Sequence, residues 1–254
     1  SIAKRLTACL LLLMLPWACA QSETDAADLP DLTGYRICVD PGHQAHMDSR
    51  LEPANPFDRT EKKARTAGGA QGVATRVYEY ERNLEIALLL AELLRACGAE
   101  VLLTRETEDV TLSNIDRARM ANDFQADVFL RLHCNKSDDP KRRGLCVYAP
   151  IVSANRFYDT KKARMLEWAE TLGALMQEES GAASHKAVAS NQYTGSNWAQ
   201  MPTFLIEMGY MSNAEDDLLL ADPDYQQGLI LGMARFLATM PKDAYRDNQA
   251  LSYP

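Results

Sequence analysis

Beyond residue 20 the chain has no apolar run near the ~20 residues that a bilayer-spanning helix needs. It has no surplus of basic residues: 27 Lys and Arg stand against 35 Asp and Glu, for a formal charge of −8. That sign argues against nucleic acid and anionic membranes, which attract clustered Lys and Arg. Six Cys are present but no CxxC pair, which excludes a zinc ribbon. HExxH, the common helix-borne zinc motif, is absent, and there is no internal repeat. What is present is an ordinary globular composition, 46% apolar and 24% charged over 254 residues. At roughly 100–200 residues per domain, that length accommodates one large domain or two small ones.

The N-terminus reads as an address. Lys4 and Arg5 precede an apolar run from Leu6 to Trp17, and Ala18-Cys19-Ala20 is a small-x-small cleavage pattern. The expectation is a signal peptide over 1–20 and a secreted, extracytoplasmic product associated with the cell wall. A lipid anchor on Cys19 competes, although Pro16 and Trp17 suit it poorly; a retained N-terminal anchor is the third reading. Losing Lys4 and Arg5 takes the charge from −8 to −10. Cys38, Cys97, Cys134 and Cys146 remain and read as small buried hydrophobes, with disulfides permitted but not required. Residues 21–33 read as a linker, 34–240 as one catalytic domain and 241–254 as a polar tail.

Within the domain, strands alternate with helices. Strands are expected at 35–39, 99–103, 128–132, 145–149 and 203–208. Leu84, Ala87, Leu88, Ala91 and Leu94 mark a helix over 81–97. Ser113 with Asp116 starts a short helix, and Met165, Trp168, Ala169, Leu172 and Met176 face the core from a long one that stops at Gly181. Ser212-x-x-Glu215 reads as a capping box and Asp222-Pro223 as the start of a last helix. Stretches 44–78 and 182–202 show no sustained periodicity. The fold class is α/β: a single domain with a largely parallel twisted sheet flanked by helices, and a site at the carboxyl ends of the strands.

Three strand ends carry polar groups that burial does not explain. His43 follows the first strand, His133 follows the 128–132 strand, and Glu207 lies inside the apolar run Phe204–Met208. Glu79 stands just before the first long helix. Two His and a carboxylate from separate elements fit a catalytic zinc site, which takes three protein ligands and leaves a fourth position open. Taken singly, each residue also has an ordinary reading: a surface His, a helix-start acid, a carboxyl with a local partner. His46 and His185 read as ordinary loop residues.

At these residues the chain resembles the zinc-dependent N-acetylmuramoyl-L-alanine amidases of the amidase type 3 family. Val39-Asp40-Pro41-Gly42-His43 is similar to that family's opening motif, and Glu79-Tyr80-Glu81-Arg82-Asn83-Leu84 to its glutamate-plus-helix motif. Leu103-Thr104-Arg105, Arg117, Ala121-Asn122, Leu132-His133-Cys134-Asn135 and Leu205–Asn213 follow in family order. The resemblance spans about residues 35–240 and implies His43, Glu79 and His133 as ligands of one catalytic Zn²⁺. Glu81 is the competing choice for the second ligand. It implies Glu207 as the catalytic carboxylate, taking a proton from the attacking water and returning it to the leaving amine. Asn135 is a candidate to orient the His133 loop. Cys134 departs from the small residue usual at its position and is expected to face the core. The implied reaction is hydrolysis of the amide between N-acetylmuramic acid and L-alanine in peptidoglycan, by a monomer. The alternatives are an inactive wall-binding module and a zinc peptidase cutting within the stem peptide.

Overall fold

The computed structural model describes residues 29–151 and 162–242. The signal peptide, Cys19, most of the linker and nearly all of the tail lie outside the described residues. Among the described residues, no helix is long and apolar enough to cross a membrane.

The chain runs through β1 (Arg36–Pro41), β2 (Asp48–Pro53), β3 (Lys62–Thr66), α1 (Glu79–Ala96), β4 (Glu100–Leu103) and α2 (Asn114–Asp123). It continues through β5 (Val128–Asn135), β6 (Cys146–Pro150), α3 (Lys162–Ser180), β7 (Ala187–Ser190) and α4 (Thr194–Trp198). It closes with β8 (Thr203–Tyr210), α5 (Ala214–Leu220) and α6 (Pro223–Thr239). Six strands form one sheet in the order β4-β1-β5-β8-β6-β7. The strands β4, β1, β5 and β8 are parallel; β6 runs antiparallel to β8, and β7 parallel to β6. The expected largely parallel α/β domain is therefore the observed one.

Alternation along the strands sorts the two faces of the sheet. Ile37, Val39, Val128, Leu130, Leu132, Phe204 and Ile206 point into the main core with residues of α1, α3 and α6. The other face holds Cys38 and Phe129 in a small cluster with Ala121 of α2 and Ala199. Further along that face apolar residues give way to Asp40, Arg131, His133 and Glu207. Register sets Asp40 beside Arg131 and His133 beside Glu207. One face thus supplies burial, while the other changes from apolar to charged toward the carboxyl ends of its strands.

The helix ends follow local chemistry. Ser113 caps α2 in the expected box with Asp116. Asp222 caps α6, with Pro223 in the first turn. Gly181 ends α3 in the left-handed region at φ 71°. Four expectations need correction. The cap of α5 is Asn213, whose side chain accepts from the Glu215 and Asp216 N–H groups, rather than Ser212. The first long helix begins at Glu79, two residues early, because Glu81 accepts the Tyr78 N–H at 2.7 Å and closes a box there. The 44–78 stretch contains an antiparallel hairpin, β2–β3. Glu52 fastens that hairpin to α2 by accepting from the Asn114 and Ile115 N–H groups at 3.1 and 3.4 Å. Stretch 182–202 likewise holds β7 and α4.

Candidate metal centre

The loop after β1 is built around buried charge. Asp40 is fully buried and accepts from Arg117 at 2.6 Å, Arg131 at 2.9 Å and Thr104 at 2.6 Å. Burial opposes its charge, but Arg117 and Arg131 hold its carboxyl far below the usual carboxylate range. Arg117 and the nearby Arg105 also fix the loop carbonyls. Pro41 O accepts from Arg105 at 2.9 Å and Arg117 at 2.8 Å, Gly42 O from Arg105 at 3.1 Å, and His43 O from Arg117 at 2.9 Å. His43 is thereby held at φ 60°, a conformation uncommon for a residue with a side chain.

Three side chains from three elements converge here. His43 Nε2 lies 3.1 Å from Glu79 Oε1, and His133 Nδ1 lies 3.2 Å from both. Among the described residues this is the cluster of His, Cys, Asp or Glu whose donor atoms come together. Tetrahedral bonds of about 2.0–2.1 Å set ligand atoms about 3.3–3.4 Å apart, so the spacing suits a cation at the centre. The donors also fit one chemically. His43 Nδ1 bonds the Ala67 carbonyl at 2.8 Å, which leaves the lone pair on Nε2. Glu79 is oriented by the Ala70 N–H at 2.7 Å and the Cys134 N–H at 3.1 Å.

Electrostatics tie the three together. Burial opposes ionisation of Glu79, but hydrogen bonds from His133 and His43 hold its carboxyl well below the usual range. His43 is raised by Glu79 against the effect of burial. His133 is pushed down to about 4, first by burial and then by the neighbouring His43. Glycines make the room. A Cβ at Gly42 would stand 2.2 Å from the His133 ring, and one at Gly69 would stand 2.9 Å from Glu79 Oε2.

Beside this cluster lies Glu207, 9% exposed, with Oε2 buried and lacking a protein partner. Burial, then the charge of Glu79, raises its pKa well above the usual value. His133 Nε2 is likewise buried without a partner. Unpartnered buried polar atoms are costly and uncommon, and here two sit on paired positions of β5 and β8. All four residues line a cleft of about 490 Å³. Its other walls include Lys63 and Thr66 of the hairpin and Gln192 and Tyr193 before α4.

The family model for N-acetylmuramoyl-L-alanine amidase matches residues 37–239, most of the chain. The chain belongs to the N-acetylmuramoyl-L-alanine amidase family. It is 25% identical over 215 residues to the N-acetylmuramoyl-L-alanine amidase Rv3717 of Mycobacterium tuberculosis, covering 82% of this chain and 89% of that protein. It is 25% identical over 196 residues to the probable cell wall amidase LytH of Staphylococcus aureus, but spans only 55% of that protein. In fold it is similar to the amidase Ami1 of Mycobacterium smegmatis, with a TM-score of 0.70 at 22% identity over 83% of this chain and all of that one.

The structure sorts the amidase's remaining candidates. Glu81 is spent on capping α1. His46 pairs with Asp109 at 3.4 Å on the surface, and His185 with Gln177 and Glu170. Cys134 faces the core as expected; burial, then the Glu79 and Glu207 charges, raises its thiol well above the ordinary value, so it stays protonated. All four described cysteines are free and buried. Asn135 uses its side chain on the Lys136 N–H at 2.8 Å, and its carbonyl takes the Met211 N–H. Sequence reasoning missed Tyr193, Lys63 and the glycines at 42 and 69. Gly42 was visible as part of the Val39–His43 motif, but the ring it makes room for was not.

Proposed function

We propose that this protein is a zinc hydrolase that cleaves the amide between N-acetylmuramic acid and L-alanine in peptidoglycan. The observation that carries this reading is the convergence of His43, Glu79 and His133 at 3.1–3.2 Å beside a buried, unpartnered carboxyl. Family membership and the names of the relatives support the substrate. Action outside the cytoplasm goes with it, since LytH is named a cell wall amidase, and the signal-like pattern over residues 1–20 agrees with export. Peptidoglycan is then the partner, and the catalytic unit is the monomeric 34–240 domain.

Two neutral imidazoles and one carboxylate would hold the ion and leave a fourth position open. Zinc there supplies Lewis-acid chemistry, making a water more acidic and polarising an amide carbonyl. Glu207 does the proton work. Buried among apolar neighbours, it takes the proton of the attacking water and delivers it to the departing L-alanine nitrogen. Such general-base help is worth roughly 10²–10⁴-fold. Asp40, Arg105 and Arg117 keep the His43 loop rigid, so the donor atoms need no rearrangement.

The test is release of free amino groups from purified peptidoglycan by the zinc-loaded protein and its Glu207→Gln variant. The expected result is release by the first and none by the second at equal zinc content. Equal release by both would refute the role of Glu207; none by either would refute the activity.

A further inference from the structure

We propose that Tyr193 is a catalytic residue of the same cleft, its hydroxyl donating a hydrogen bond to the substrate's amide oxygen as that oxygen gains negative charge. The inference rests on the amidase reading above.

The placement follows from register. On β6, Cys146 pairs with Glu207 and Tyr148 with Leu205, so Tyr148 is a diagonal neighbour of Glu207 on one face of the sheet. The Tyr193 ring packs on Tyr148 with centroids 4.9 Å apart and planes tilted by 59°. Tyr193 therefore hangs over the strand face that carries Glu207, and it lines the cleft together with Leu205 and Glu207.

Its backbone is clamped. The Tyr193 carbonyl accepts the Asn197 N–H at 3.0 Å, and Asn197 Nδ2 donates to Asn191 O at 2.8 Å and Ala54 O at 2.9 Å. Trp198 Nε1 donates to Pro53 O at 3.0 Å, and Lys63 Nζ to Gln192 O at 2.7 Å. These bonds join residues 191–198 to the β2–β3 hairpin across the cleft. A phenol fixed in this way meets the requirement of a preorganised donor.

The proton is available. Burial, then the charge of Glu207, pushes the Tyr193 phenol up to about 12, so it carries its proton near neutral pH.

The experiment compares the zinc-loaded wild type, Tyr193→Phe and Glu207→Gln on a soluble muramyl-peptide, with kcat and KM measured separately. Phe keeps the ring on Tyr148 and removes only the hydroxyl. Removing one such donor typically lowers kcat by about 10²–10³-fold, and a fall of about fivefold or more with KM unchanged supports the proposal. A smaller fall, or one carried by KM, overturns it. A second arm places 3,5-difluorotyrosine at 193. Its more acidic phenol should bring the alkaline loss of kcat to lower pH; an unmoved alkaline limb overturns the proposal. A wild type that cleaves no amide defeats the amidase reading, whereas an active wild type matched by Tyr193→Phe defeats only this inference.

Discussion

Replacing Gly42 by alanine tests how the proposed metal centre depends on backbone detail. Gly42 is not in the left-handed region, so alanine meets no conformational barrier there. With open space the change would stabilise the protein by about 0.4–1 kcal/mol through the unfolded chain. The space is taken. The new Cβ would lie 2.2, 2.3 and 2.6 Å from Cε1, Nε2 and Nδ1 of His133. Ordinary contacts between such atoms are about 3.5–4.0 Å, so the ring must retreat by about 1 Å or more. Metal bonds tolerate only about 0.2 Å. The loop cannot yield instead, because the Gly42 N–H is bonded to Leu132 O at 2.9 Å and its carbonyl to Arg105 at 3.1 Å. His133 should drop out of the donor set. Changes in groups that merely support a ligand weaken metal binding by roughly 10–100-fold, and loss of a ligand itself should exceed that. Calorimetric titration of the metal-stripped protein with zinc reads the effect, and the metal-free melting temperature reports folding. Zinc affinity equal to wild type in Gly42→Ala would refute the reasoning.

Other changes have equally definite outcomes. Glu207→Gln should retain zinc and lose roughly 10²–10⁴-fold in kcat. In metal-free protein the raised Glu207 pKa means that, above 4.5, the unfolded chain gives up a proton the folded one keeps. Wild type should therefore lose stability relative to the Gln variant as pH rises above that value; denaturant titrations at several pH values give the difference, and a constant difference would contradict the assignment. Asp40→Asn leaves Arg117 and Arg131 buried without their counter-charge and should destabilise by about 3–5 kcal/mol, measured by chemical denaturation. Glu52→Ala removes the acceptor of the Asn114 and Ile115 N–H groups in the first turn of α2 and should lower stability by about 1 kcal/mol on thermal unfolding, while leaving zinc stoichiometry unchanged.

The parallel strands were legible because they are buried on both faces, which makes them near-continuous apolar runs, and are punctuated by turn residues. Val128–Leu132 and Phe204–Met208 read as strands from hydrophobicity alone. The candidate site residues stood out for the converse reason: His43 and His133 follow apolar strands and Glu207 interrupts one, where burial gives them no excuse. The hairpin was not legible. Lys62-Lys63-Ala64-Arg65-Thr66 has no apolar alternation, since β3 is held by polar ties such as Arg65–Asp116 and Thr66–Leu112 rather than by burial. The start of α1 was hidden because Tyr78 is an unusual cap and the Glu81 carboxylate supplies the missing contact. Tyr193 was invisible because its neighbours, Tyr148 and Glu207, are distant in sequence and brought close only by antiparallel β6.

The central claim is that the His43–Glu79–His133 cluster and Glu207 serve one bond, the amide joining muramic acid to L-alanine. Mass spectrometry of the fragments released from purified peptidoglycan by the zinc-loaded protein tests it most directly. The predicted products are peptides that begin with L-alanine and glycan freed of its stems. Fragments cut between amino acids of the stem would contradict it.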